Sequence, residues 1–487
     1  MRHPVRLVPL FGGALLAFGL CAPAAGQNLG DLRLGTDDPS ASDAGSDIWT
    51  MEDEAAASVP GDPEMAQDDA ARSRLMPTGA IGPVQGGGAT REDDPFSAPG
   101  VQLGSFVLRS TLDVGFSAKA ETANTESGAP PVVTESTTRS LPLDGALALE
   151  LESDWARHAM GMSVDGNLQR DLENGTMEPA LSAEATGRLD IGADATLTGT
   201  LSYAYALDDP QSAAFVAATD PSLVPAVSGV NKPATQTVGG SLVLARDTGG
   251  LFGEVEIAAT HEMYGDAELS DGAVISQSDL DNTVIDGRLR VGFHASPVFA
   301  PFVQGSYGTR RMVHTPDSGG YDRDAMRYAL QLGTQVDLGE KLNGEIAAGY
   351  VLEDVADAAL DDIGGISVAA TVNWSPRRET DVSLGLSTTT ETSGKSGEGG
   401  ALVYAADLGV VHRARSYLTA EASLGVEYRD AESGADETTV SAEATFTHWF
   451  NRFAGLVTQF GHERVFSGDP LQRSTTTTAR VGLRLQR

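Results

Sequence analysis

The sequence predicts an all-β chain: an antiparallel transmembrane β-barrel of about 18 strands, with 16 also compatible, behind a disordered acidic N-terminal tract. Three observations predict it. From residue 105 onward apolar residues recur every second position, the period of a strand whose two faces meet different surroundings. The connections between these segments alternate, short then long, as in an up-and-down barrel spanning a membrane. Beyond the N-terminal segment no run of 18 apolar residues occurs, so no helical span competes with that reading.

Residues 1–26 are expected to be a secretory signal peptide. Arg2 and Arg6 supply the positive start, Leu7 to Ala22 the apolar stretch, and Ala22-Pro23-Ala24 or Ala24-Ala25-Gly26 the small residues of a cleavage site. The one cysteine, Cys21, falls inside this segment, which excludes a disulfide scaffold or a cysteine metal cluster. The bulky Leu20 before it argues against lipidation.

Residues 27–104 hold 15 acidic residues and 4 arginines, with scattered Pro and Ser and the run Gly86-Gly87-Gly88. Apolar residues are too sparse to bury a core, so the tract is expected to be disordered, with short helices at most around 48–57 and 68–75. It matches no calcium loop. It is expected to lie in the periplasm, as a solvated linker or a docking segment for a cell-wall or periplasmic partner.

The barrel is expected over 105–487. Phe106, Leu108, Leu112, Val114 and Phe116 oppose Arg109, Thr111, Asp113 and Ser117. Leu143, Leu147, Leu149 and Leu151 oppose Asp144, Ala146, Ala148, Glu150 and Glu152. The pattern continues to Val481, Leu483 and Leu485 against Arg480, Arg484 and Gln486. Eighteen such segments run from 105–117 to 474–486, joined by eight short and nine long connections. That parity puts both ends of the barrel on the short-turn side, which in an outer membrane is the periplasmic side. The long connections include 118–138 and 208–235. The latter carries Phe215, Val216, Leu223 and Val224 and is expected to narrow the lumen.

Trp155, Trp374, Trp449, Phe450 and Phe453 sit beside short turns and are expected to form a periplasmic aromatic girdle. The polar faces carry Glu184, Arg188, Glu254, Glu256, Arg288, Arg290, Arg310, Glu345, Glu421, Glu427, Arg480 and Arg484. These are the candidate pore-lining residues, because opposed acidic and basic groups around a water-filled lumen select solutes. They could equally pair across strands and brace the wall.

Lys and Arg total 33 against 68 Asp and Glu, a formal charge of −35, which argues against a nucleic-acid partner and for a weak cation preference in any open pore. No cofactor is implied, and no catalytic residue. His261-Glu262 lacks the second histidine of a zinc protease motif, and no nucleophile elbow is present.

Asp93-Asp94-Pro95-Phe96, Val101-Gln102-Leu103-Gly104-Ser105-Phe106, Glu152-Ser153-Asp154-Trp155-Ala156-Arg157-His158, Arg188-Leu189-Asp190-Ile191 and Val481-Gly482-Leu483-Arg484 resemble the putative β-barrel porin 2 family of proteobacterial outer-membrane proteins. The resemblance covers about 95–487. It implies an outer-membrane location and, as an expectation, a passive porin-like channel for small hydrophilic solutes. The alternative is a non-conducting structural or accessory protein that anchors to the cell wall or assists surface-polymer export. Partners would be outer-membrane lipids, lipopolysaccharide and the outer-membrane assembly machinery. The chain departs from the common barrel pattern at its last residue, Arg487, where an aromatic is usual.

Overall fold

The computed structural model describes residues 96–487, apart from 128–131, 174, 208–232, 269–273, 394–397 and 433. The expected signal peptide, the acidic tract through residue 95 and most of the 208–235 connection lie outside the described residues.

Eighteen long strands form one antiparallel sheet that closes on itself. They are β1 (Phe106–Ser127), β2 (Pro142–Ser153, continued upward by Val132–Ser140), β3 (Ala159–Asp171), β4 (Met177–Ile191), β5 (Ala195–Leu207) and β6 (Ala234–Asp247). Next come β7 (Leu251–Tyr264), β8 (Asn282–Phe293), β9 (Phe299–Met312), β10 (Ala325–Asp337), β11 (Leu342–Val355) and β12 (Ile363–Arg377). The circuit ends with β13 (Thr380–Thr392), β14 (Gly400–Arg415), β15 (Leu418–Ala431), β16 (Glu437–Asn451), β17 (Ala454–Ser467) and β18 (Ser474–Gln486). Each strand pairs with its sequence neighbours, and β1 pairs with β18 from Thr111↔Gln486 to Ala123↔Ser474. That last ladder leaves no free edge at the ends of the sheet, the condition for crossing a membrane with strands. At this closure Gly115 faces Gly482. A Cβ on Gly115 would come within 2.6 Å of the Val481 carbonyl oxygen, so the two strands meet where neither needs room for a side chain.

Below the end of β18 the short strand Val101–Leu103 takes over the vacant edge of β1. Gln486 Nε2 reaches the carbonyl of Arg452 at 3.0 Å and also bonds that of Phe96, so the first described residues lie against the foot of β18.

The outer surface reverses the pattern of a water-soluble protein. Phe116, Leu201, Leu332 and Leu483 are 64%, 69%, 65% and 56% exposed, and similar side chains ring the barrel. Exposed apolar surface of this extent fits lipid, not water. Charged and hydroxyl side chains occupy the opposite face of the same strands. That face is the concave one: Arg290 of β8 bonds Glu345 of β11, three strands away, a distance a side chain can span only across the inside of the curve.

Two features depart from the sequence reading. The 118–138 connection is mostly strand, because β1 runs to Ser127 and pairs with Val132–Ser140, with Thr122 and Thr137 bonded at 2.9 Å. This hairpin stands above the apolar band, where water wets both faces and no apolar alternation is required. The other feature is a break in the wall. β12 pairs with β13 only from Arg377↔Thr380 to Ala370↔Leu386, and the ladder then stops while both strands continue.

Candidate functional site

All twelve charged candidates fall on the inward face, in three groups. The first is a buried polar chain near the short-turn end. Arg290, with no exposed surface, donates from Nη1 and Nη2 to the two oxygens of Glu345 at 2.9 and 3.0 Å. Its Nε and Nη2 donate to Gln304 Oε1 at 2.9 and 2.6 Å. Glu254 stands 3.7 Å away, and the guanidinium lies 4.2 Å from the centre of the Phe302 ring. Gln304 passes the chain to Gln331, and Gln331 Nε2 donates to Ser367 Oγ at 2.6 Å. Phe252, Ala300, Phe302 and Ala347 pack beside it as a small dry core. A fork-to-fork arginine–carboxylate pair with its remaining donors satisfied is the geometry in which a buried charge is tolerated. This group braces the wall from β7 to β12.

The second group lies nearer the long loops. Glu353 pairs with Arg310 and, at 3.2 Å, with Arg327. Arg327 also reaches Asp286 at 2.7 Å. Thr390 of β13 joins them: its hydroxyl bonds Glu353, and its carbonyl accepts from Arg310 Nη2 at 3.2 Å. Arg288 pairs with Glu256, directly opposite it in the β7–β8 ladder.

The third group spans the closure and the wall beside it. Arg484 grips Asp113 with Nε and Nη2 at 2.9 and 2.8 Å across the β1–β18 seam. Arg480 stands 3.7 Å from Asp144 and Arg188 3.2 Å from Asp190. Glu184 accepts from Thr186 at 3.2 Å. On β14–β17 the inward face carries Asp407, Glu421, Glu427, Glu437, Glu443 and Glu463 against Arg413 and Arg429. Arg413 is 3.6 Å from Asp381 and Arg429 is 3.0 Å from Glu391, so these cations already face acids of β13. Acids thus outnumber cations on this face, as they do on the inward face of β1–β4, where Asp144, Glu150, Glu152, Asp165 and Glu184 stand with Arg109 and Arg188.

The girdle candidates divide. Trp374, Phe450 and Phe453 are exposed on the outside near the short turns. Trp155 is at the same end, edge-on to Phe106 with its Nε1 donating to Ser105 Oγ at 3.1 Å. Trp449 does not belong with them. It shares the inward face with Thr445 and Thr447 and is buried, its ring over Gly455. Strand parity decides this, since Phe450 follows it and a neighbour in a strand takes the other face. Sequence reasoning also passed over Arg327, Asp286 and Thr390. Arg327 and Asp286 lie on alternating polar positions, but nothing in their own segments marks the cross-strand meeting.

Over the long-loop end, the connections 313–324 and 356–362 interlock. Arg323 is buried and donates to Asp317 Oδ2 and to the Glu398 carbonyl, both at 2.6 Å. Asp322 and Asp357 exchange two hydrogen bonds at 3.1 Å. Burial alone would raise the Asp317 carboxyl. Donation from Arg323 and from the backbone N–H groups of Tyr321 and Gly319 outweighs it and holds the group below the usual carboxylate range. Among the described residues no cluster of acidic, histidine or cysteine side chains is arranged to hold a metal ion.

The family model described as putative beta-barrel porin 2 matches residues 94–487. No curated protein matches the chain. Among solved structures, OpdL of Pseudomonas aeruginosa is similar over 79% of this chain and 99% of its own, at 11% identity and a TM-score of 0.38. The siderophore receptor PiuA of Acinetobacter baumannii is similar over 80% and 82%, at 11% identity and a TM-score of 0.38. The outer membrane protein OpdK of Pseudomonas aeruginosa is similar over 78% and 99%, at 11% identity and a TM-score of 0.36.

Proposed function

The chain belongs to the putative beta-barrel porin 2 family, and from that premise we propose that it is a passive outer-membrane channel for small hydrophilic solutes with a preference for cations. The observation that carries the reading is the split of charge on the inward face. The arginines there are matched by carboxylates, as Arg290 is by Glu345 and Arg484 by Asp113. Acids outnumber cations on the inward faces of β1–β4 and of β14–β17. A wet passage beside those walls attracts cations and repels anions. The twelve charged candidates then line or brace the passage, and none is given a catalytic role.

In this reading the apolar outside contacts outer-membrane lipids and lipopolysaccharide. The short turns, both barrel ends and the acidic tract face the periplasm, where the tract is free to meet a cell-wall partner. Insertion is by the outer-membrane assembly machinery.

The test is single-channel conductance of the refolded mature protein in planar bilayers under a salt gradient, with and without residues 27–104. A stable conductance whose reversal potential has the cation-selective sign supports the proposal. A correctly inserted barrel that passes no current would sink it and leave the accessory role.

A further inference from the structure

We propose that the break between β12 and β13 is a closed lateral seam, a route by which an amphipathic molecule with an acyl chain passes between the lumen and the membrane leaflet at the long-loop end. This goes beyond the channel reading and takes from it only the placement of the barrel in a membrane.

The break has a definite geometry. On its far edge β12 stays paired with β11 up to Glu353↔Ile363. On its far edge β13 stays paired with β14 up to Thr392↔Gly400. Only the edges facing one another part, at Ala370 and Leu386. Above that point the β13–β14 hairpin tucks inside the barrel. Ser367, bonded to Gln331, marks the inward face of β12, and Ile363 and Gly365 share it by parity. Leu402 shares the outward face of β14 with Tyr404 and the exposed Leu408, yet is only 2% exposed. Leu402 is covered by β12: a Cβ on Gly365 would sit 2.6 Å from Leu402 Cδ2. Thr390 confirms the overlap from the next strand. It lies on the outward face of β13 by alternation with Glu391, which faces Arg429 in the lumen, yet its hydroxyl bonds the inward-facing Glu353. The outside of β13–β14 therefore lies against the inside of β11–β12, and the wall is double there.

Among the described residues this arrangement leaves the β12 edge from Ile363 to Ala369 without a strand partner, while Ile366 on the same stretch is 63% exposed on the apolar outside. An unpaired edge at membrane depth is costly. One side chain partly replaces the ladder: Thr388 Oγ1 accepts from the Val368 N–H at 2.9 Å and donates to the Val368 carbonyl at 3.2 Å. On either side, in the β11–β12 and β13–β14 ladders, lumen and lipid are separated by continuous pairing. Here they are separated by packing, with Ile363, Ala401, Leu402 and Val403 at 0–2% exposure. Apolar packing and one hydroxyl clasp can part without breaking a ladder. Beyond them lie apolar side chains outside and the polar cluster of Arg310, Arg327 and Glu353 within. A passage apolar at one end and lined by paired charges and a hydroxyl at the other suits an acyl chain with a hydrogen-bonding head.

The test locks the seam. Cys21 lies in the expected signal peptide, so Gly365→Cys with Leu402→Cys gives a mature chain whose two thiols face each other. The protein is placed in phosphatidylethanolamine–phosphatidylglycerol vesicles with a diazirine-bearing stearate, irradiated, and mapped by peptide mass spectrometry. Labelling of the lumen-side residues Ser387 and Glu391 is expected to fall about tenfold on oxidation and to return on reduction, while labelling at the lipid-facing Leu330 and Leu332 stays constant. Thr388→Val, which removes the clasp and adds no cross-link, is expected to raise lumen-side labelling. Equal lumen-side labelling in both redox states, or none in either, overturns the proposal. Ion conductance of the same oxidised sample separates the two readings. A conducting barrel with redox-insensitive labelling removes the seam alone. Redox-dependent labelling in a barrel that passes no current removes the channel alone.

Discussion

At the scale of the residue, Arg290 shows why an arginine was placed inside a membrane wall. Its guanidinium has no contact with water and is held by Glu345, Gln304 and the Phe302 face. Removing one partner of such a pair leaves the other buried and uncompensated, at a cost of about 3–5 kcal/mol. Arg290→Ala is therefore expected to lower the urea stability of the refolded barrel by about that amount. The double variant with Glu345→Ala should cost less than the sum of the single ones. Simple additivity in that cycle would mean the two side chains do not act as a unit. Asp317 makes a second residue-scale case. A carboxyl held below its usual value stabilises the folded loop at pH above the unfolded value, near 3.8, and that contribution is lost as pH falls through the lower folded value. Amide exchange in 313–324 should be flat from neutral pH to about 4 after correction for intrinsic rates, then rise. Asp317→Asn should show raised exchange already at neutral pH, and loss of the step would confirm the assignment.

At the scale of the element, the strands were legible because lipid and water impose opposite demands on alternate residues. Segments such as 195–207 and 474–486 follow the alternation to both observed ends. Where both faces meet water the signal vanishes, so the Thr- and Ser-rich hairpin of β1 with Val132–Ser140 carries no apolar alternation to mark it as strand. Trp449 was misassigned because proximity to a turn was weighed above parity. Loop order was equally invisible, since it depends on one arginine reaching two connections. Arg323 bridges Asp317 and the Glu398 carbonyl, and Asp322 ties the same loop to Asp357. Arg323→Ala is expected to raise amide exchange in 313–324 and 356–362 together, by about tenfold or more, while the β9–β12 strands keep their protection. A rise confined to 313–324 would show that the two connections order independently.

At the scale of the whole molecule, the sequence displays charge only as a total, and the fold shows which of those charges are paired on the inward face. The candidates Arg188, Arg290, Arg310, Arg480 and Arg484 are each set against acids, so they contribute little net field along the passage. Asp407, Glu427 and Glu443 stand on three consecutive strands, β14 to β16, and among the described residues none of the three is in an ion pair as close as these. A unit charge about 4 Å from an ion in water-like surroundings is worth roughly 1 kcal/mol, or about fivefold in local concentration. Neutralising the three by Asp407→Asn, Glu427→Gln and Glu443→Gln should therefore cut the cation-to-anion permeability ratio by roughly fivefold or more. The effect should shrink at high salt, where screening shortens the reach of each charge. The control is Glu345→Gln, on the braced wall, which should lower stability with little change in selectivity. If Glu345→Gln shifts the reversal potential as far as the triple variant does, ions do not run along the β14–β17 wall, and the acids there serve the architecture alone.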